Sequence, residues 1–156
     1  MKILIYIENS ATTYSGGRYH GLILGYGLAS VGNKVHMYTN NIPIFNNDFV
    51  GFKSENLKFI LSKRFKPLKN YNYDIIIVVP SMGRFKNMSF FYSALISAFH
   101  NKSHLILLNF ESPNWFNKYS PKKRDERLWK YWYLISQYSD NILSSTFEST
   151  KFAKLF

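Results

Sequence analysis

The sequence contains no cysteine in its 156 residues. Disulfide staples and thiolate metal sites are therefore excluded. Histidine is scarce, with four in all. Only His100 and His104 stand at helical spacing, and Asn101-Lys102-Ser103 between them reads as a turn. No metal site is expected. Acidic residues are few: 9 against 20 Lys and Arg, a formal net charge of +11. Such a chain suits polyanions, whether nucleic acid, anionic lipid or phosphorylated small molecules. Long apolar runs are missing. Ile75 to Pro80 and Phe90 to Phe99 fall far short of the roughly 18 residues that span a bilayer. A basic leader with a small-residue cleavage site is missing too, because Met1-Lys2 runs straight into strand-like sequence. The expected location is the cytoplasm, and any membrane contact is peripheral, at the inner face.

What is present suits one domain with a real core. Hydrophobic residues make up 46%, a globular rather than disordered content. Lys2 to Glu8 is a continuous apolar run rich in isoleucine, the mark of a strand covered on both faces. Arg18 to Val31 reads as a helix whose Tyr19, Leu22, Ile23, Tyr26 and Ala29 form one apolar stripe. Gly32-Asn33 ends it in a left-handed turn. Lys34 to Thr39 and Leu57 to Leu61 read as the second and third strands. Ser62 to Tyr73 is a basic connector with Lys63, Arg64, Lys66 and Lys69. Ile75 to Val79 is the strongest strand. Met88 to Phe99 is a helix, and His104 to Asn109 a strand. Lys122 to Tyr138 is a long helix with Leu128, Tyr131, Trp132, Ile135 and Tyr138 on one face. Asp140 to Ser145 is a final strand, followed by a helix capped by Thr146. This order predicts an α/β fold, a doubly wound, mostly parallel Rossmann-like sheet with helices on both faces.

Ligands in such sheets bind beyond the carboxyl ends of the strands. Three loops qualify. The first holds Gly16, Gly17 and Arg18 at a strand-to-helix turn. There the free N–H groups and partial positive charge of the helix start suit a phosphate or a hydroxyl-rich ligand. It is not a dinucleotide fingerprint, since Arg18 stands where the second glycine belongs. It is not a P-loop either, since no Gly-Lys-Ser/Thr follows. Gly17, Gly21 and Gly25 lie four apart on one stripe, which points to close packing against a neighbour. The second loop holds Ser81, Met82, Gly83 and Arg84. The third, "NFESPNWFN", sets Glu111, Ser112, Asn114 and Trp115 after a buried strand. A carboxylate there can accept a hydroxyl proton, and an indole can stack on a ring. Lys122, Lys123, Arg124, Arg127 and Lys130 mix with Trp129 on the polar side of the long helix, a pattern that suits a lipid interface.

"MKILIYIENSATTYSGGRYHGLILGYGLASVGNKVHMYT" resembles the opening of glycosyltransferase family 4, sugar transferases of the GT-B fold. The shared features are the apolar strand Lys2 to Glu8, Gly16-Gly17, the helix, the turn Gly32-Asn33-Lys34-Val35, and Thr39. "YDIIIVV" at Tyr73 to Val79 and "SDNILSSTFESTKF" at Ser139 to Phe152 resemble later family segments. The resemblance implies the amino-terminal, acceptor-binding half of a retaining transferase acting on a nucleotide-sugar donor. The acceptor would be a cell-envelope polysaccharide or a lipid-linked glycan. It also implies no cofactor and no bound metal. Gly16, Gly17 and Arg18 would face the donor phosphates. Ser81 to Arg84, Ser112, Asn114 and Trp115 would face the acceptor. The family's nucleotide-holding carboxy-terminal domain, with its basic pair and E-x7-E motif, cannot be placed in this sequence. The fragment alone is expected to be inactive. Many family members carry a histidine after the strand matching His104 to Asn109. Phe110-Glu111 stands there instead, which leaves Glu111 as the catalytic candidate. The alternatives are a basic α/β nucleic-acid-binding module, for which no recognition motif speaks, and a non-catalytic truncated remnant.

Overall fold

Lys2–Ile7 forms β1, and its alternate side chains divide between two cores. Leu4 and Tyr6 point to one face, while Ile3, Ile5 and Ile7 point to the other. That double burial is why the run is apolar throughout rather than alternating. The computed structural model describes residues 1–46, 54–80, 88–110 and 133–154. The remaining elements are α1 (Gly16–Ser30), β2 (Lys34–Thr39), β3 (Leu57–Leu61), β4 (Ile75–Val79), α2 (Met88–Asn101), β5 (His104–Asn109), β6 (Asn141–Ser144) and α3 (Phe147–Ala153). Residues 133–138 are also helical.

The six described strands make one sheet in the order β3-β2-β1-β4-β5-β6, and every pairing is parallel. The strand order reverses between β1 and β4, so the sheet is doubly wound as expected. Helix α1 covers one face, packing Leu22, Tyr26 and Ala29 on Ile5, Met37 and Val79. Helix α2 and Ile135 cover the other, with Phe90, Phe91, Ala94 and Ala98 on Leu4, Tyr6, Ile76 and Val78.

Two aspartates set the strand starts. Asp74, just before β4, accepts the Lys2 N–H at 2.7 Å and donates its own N–H to the Lys2 carbonyl at 2.9 Å. Asp140, just before β6, does the same to Leu105, at 2.7 and 2.8 Å. Each pair locks neighbouring strands in register at the amino ends, where the ladder begins.

Helix α1 departs from its expected face. It begins at Gly16, two residues before Arg18, and its buried line is Gly21, Leu22, Gly25, Tyr26 and Ala29. Tyr19 and Ile23 are exposed rather than in the core. The glycines explain the shift, because the helix sinks onto the sheet along them. A Cβ on Gly21 would lie 2.5 Å from Ile7 Cδ1 and 3.3 Å from Val79 Cγ2, and one on Gly25 would lie 3.0 Å from Met37 Sδ. Helix α1 ends at Ser30 and the chain turns away at Gly32, whose φ of 88° only glycine adopts freely, while Asn33 donates through Nδ2 to the Leu28 carbonyl at 3.0 Å. The turn expected at residues 101–103 is present, with Lys102 in the left-handed region at φ 53°. Tyr138, expected on the buried face beside Ile135, is exposed.

The β3–β4 connection contains no helix. Residues 62–72 instead form an irregular strap across the α2 face. Phe65 is its buried anchor, ringed by Tyr6, Tyr38 and Phe90 with centroids 4.9 to 6.2 Å away. Tyr38 Oη accepts the Lys66 N–H at 2.9 Å, and Ser97 Oγ accepts the Leu68 N–H at 2.7 Å. Asn101 Nδ2 donates to the Leu68 carbonyl at 2.7 Å. Its Oδ1 accepts the N–H groups of Tyr71 and Asn72 at 3.0 and 2.9 Å. The Tyr6 hydroxyl lies 2.7 Å from Ser97 Oγ, and burial pushes its pKa far above the usual phenol value.

Two stability tests follow from this packing. Gly21→Val should cost about 2 kcal/mol by overpacking Ile7 and Val79. Gly27→Ala meets nothing within 4 Å and should gain about 0.5–1 kcal/mol. Equal melting temperatures for the two variants would contradict the close approach of α1. The second test concerns His36, whose Nδ1 lies 2.8 Å from the Tyr73 hydroxyl. Burial, then Lys2 and Lys58, hold its pKa below the ordinary 6.5. The unfolded chain therefore takes up this proton first, and the His36 contribution, complete above about 6.5, is lost as pH falls through the lower folded value. Melting curves should show a shallower acid loss for His36→Gln than for the native chain; parallel curves would refute it.

Candidate functional site

The carboxyl ends of β1 and β4 meet where the strand order reverses, and α1 starts directly above them. Glu8 to Ser15 form the loop between. Ser15 occupies the N-cap position of α1 with extended backbone, yet its hydroxyl makes no capping bond, and the first turn carries no acid. The contrast is α3, where Thr146 Oγ1 accepts the Ser149 N–H at 3.1 Å. The start of α1 thus keeps its positive dipole end without a side-chain cap.

Around that start the three loop residues take different roles. Gly16 has nothing within 4 Å of where a Cβ would stand. A Cβ on Gly17 would sit 3.4 Å from the Phe110 ring, an ordinary contact. Arg18 turns back, its Nε donating to the Glu8 carbonyl at 2.9 Å. That bond clamps the end of β1 to α1, so Arg18 holds the loop's shape as well as bringing charge to it.

The structure adds residues that the sequence did not single out. Phe110 follows β5 and stacks on exposed His20, with centroids 5.7 Å apart and ring planes 17° apart. An imidazole from α1 therefore reaches the rim beside the end of β5. On the other side, Tyr14, Ser15, Gly16, Tyr19 and Phe45 line a pocket of about 350 Å³. Phe45 is its floor, with Tyr14 tilted at 5.5 Å and Tyr19 edge-on at 5.4 Å. Tyr14 is 64% exposed and Phe45 1%, so the first is a wall facing solvent and the second belongs to the core. Sequence spacing could not bring Phe45 to Tyr14, because an irregular stretch carries it there. Only the tyrosines' closeness to the paired glycines was a signal.

The loop floor is polar. The Asn9 N–H donates to Asn40 Oδ1 at 2.7 Å, and Asn9 Nδ2 donates to Thr39 Oγ1 at 3.0 Å. Asn41 Nδ2 donates to the Asn9 carbonyl at 3.2 Å. Asn9 is buried, yet among the described residues no donor reaches its Oδ1. A buried acceptor without a donor costs about 1–3 kcal/mol, and this one sits at the crevice.

Ser81, Met82, Gly83 and Arg84 lie outside the described residues. So do Glu111, Ser112, Asn114 and Trp115, and the cationic group Lys122, Lys123, Arg124, Arg127, Trp129 and Lys130. Among the described residues, the structure brings together Gly16, Gly17 and Arg18 of the expected site. Among the described residues no cluster of three His, Asp or Glu could hold a metal, and no helix is long and apolar enough to cross a membrane. Comparison with protein-family models gives no match, and comparison with curated proteins gives none.

The pocket walls can be separated from its floor by mutation. Tyr14→Ala should change stability by less than about 0.5 kcal/mol, as exposed positions do. Phe45→Ala should cost about 3 kcal/mol. A large loss of stability in Tyr14→Ala would make Tyr14 structural and close the pocket as a ligand site.

Proposed function

We propose that this chain is the acceptor-binding half of a retaining glycosyltransferase. In this reading it helps move a hexosyl group from a nucleotide-sugar to a cell-envelope polysaccharide or a lipid-linked acceptor. One observation carries the reading: Gly16-Gly17 open α1 directly above the point where the parallel sheet reverses its strand order. Open α/β sheets bind their ligands at that crevice. The uncapped start of α1 suits the donor's diphosphate. The half-exposed rings of Tyr14 and Tyr19 suit the apolar face of a sugar, whose C–H groups meet the negative face of an aromatic ring. Both ligand parts would then lie on either side of Gly16.

The resemblance to glycosyltransferase family 4 left the histidine after β5 without a counterpart. His20, stacked on Phe110, is the imidazole closest in place to it, within reach of a sugar hydroxyl at the rim. Glu111 remains the carboxylate candidate of the reading. The donor nucleoside would be held by a second domain, so residues 1–156 alone would bind without turnover. Attachment to an anionic membrane face would bring lipid-linked acceptors to the rim.

Amide chemical shifts of the chain, titrated with UDP-glucose, GDP-mannose and oligosaccharides, test the reading. Gly16, Gly17, Arg18 and His20 should shift with at least one nucleotide-sugar, and Tyr14→Ala should weaken glycan binding about tenfold. In a two-domain protein containing this chain, Gly17→Val should push Phe110 and His20 aside and slow transfer on the order of 10²-fold, the cost of a small misplacement at a reacting centre. Silence of the rim amides toward every sugar nucleotide would end the proposal.

A further inference from the structure

The strap between β3 and β4 poses a question the sugar site does not answer. From Leu57 to Tyr73 the chain carries five cations, Lys58, Lys63, Arg64, Lys66 and Lys69, and no acid in 17 residues. All five are exposed. Among the described residues none of them has a carboxylate within salt-bridge distance. Like charges this close in sequence repel, and a loop under that repulsion would lower its energy by splaying into solvent.

It is held instead, along its length and by side chains from two other elements. Tyr38 of β2 grips it at Lys66, Ser97 of α2 at Leu68, and Asn101 of α2 at Leu68, Tyr71 and Asn72. Phe65 plugs it into the core at 3% exposure. Asn70 and Asn72 take left-handed backbone, φ 64° and 52°, to make its bends. Five of these contacts use strap backbone N–H or C=O groups, which leaves the cationic side chains outward. The fixing seals the aromatic cluster beneath the strap, and it also holds the cations in one arrangement. A surface that must present several cations together gains from it, because the ordering entropy is lost on folding and not again on binding.

We propose that this strap is a docking surface for an anionic lipid bilayer. The charge fits lipid phosphates, each surface cation adding to the attraction. The flanks fit the bilayer interface, because Leu61 is 57% and Tyr71 46% exposed at the two ends of the strap. Single-stranded nucleic acid fits less well. It requires aromatic faces open to bases, but Phe65 faces the core, and Tyr71 already stacks on Tyr73 at 5.9 Å. The proposal rests on the strap residues alone, and it stands whether or not the rim binds sugars.

Co-sedimentation of the chain with vesicles tests it, using phosphatidylcholine alone and phosphatidylcholine mixed with phosphatidylglycerol. The chain should pellet with the mixed vesicles only, and salt should release it. Lys63→Gln, Arg64→Gln, Lys66→Gln and Lys69→Gln should each lower partitioning about fivefold, the equivalent of ~1 kcal/mol per surface cation. Lys154→Gln, near the opposite edge of the sheet, should lower it less. Tyr38→Phe keeps every charge but removes a grip on Lys66, and should weaken binding severalfold with the protein still folded by its melting curve. Three results would overturn the proposal: equal binding to neutral vesicles, native-like binding by the combined four-site variant, or tighter binding to a single-stranded oligonucleotide than to mixed vesicles.

Discussion

A sheet covered on both faces leaves its backbone polar groups one outlet, the ladder between strands. That constraint governs this molecule. β1 and β4 lie at the centre, and a one-residue shift would turn Tyr6 and Ile7 of β1, or Val78 and Val79 of β4, to the wrong core. Asp74 and Asp140 reinforce the same register from the strand starts. Once the ladder is fixed, the carboxyl ends of β1 and β4 are fixed too, and with them the crevice. Helix α1 can then come close only where it lacks side chains. Gly21 and Gly25 supply that approach, and the approach sets Gly16 and Gly17 on the rim.

The two faces solve burial differently. Under α1 the packing is almost wholly apolar, with Ile3, Ile5, Ile7, Leu22 and Met37 in contact. Under α2 a polar group of Tyr6, Ser97 and Asn101 is buried or half-buried beside the aromatic cluster. Buried polar groups are tolerable when satisfied, and these are satisfied largely by the backbone of a strap that has no helix of its own. The network substitutes for secondary structure. It gives an irregular segment the fixed geometry that a crossover helix would have given by itself.

Much of the architecture was legible because burial on both faces writes itself as unbroken apolar runs. KVHMYT, LKFIL, IIIVV and HLILLN coincide with β2, β3, β4 and β5 as observed. The start of α1 was not legible because paired glycines read as loop, although nothing prevents glycine from taking helical angles. Its buried line was hidden for the same reason in reverse. Tyr19 and Ile23 are apolar, but contact follows the glycines, so depth of approach outweighed hydrophobicity. The grip of Tyr38, Ser97 and Asn101 on the strap has no local pattern. Neither has the meeting of Phe45 with Tyr14 and Tyr19. Such contacts join segments with no shared periodicity, and only the assembled sheet makes them neighbours.

The bond between Tyr6 and Ser97 joins residues 91 apart in the chain. Closing so wide a loop carries its entropic cost before any contact repays it. The same Ser97 takes the Leu68 N–H, so the strap is not fully fastened until α2 is in place, which makes it a late step of assembly. During synthesis it would hang loose while β1, α1 and β2 come together. Its lysines, which keep that unfastened stretch soluble, would guard the nascent chain against clumping well before any role they have in the finished molecule.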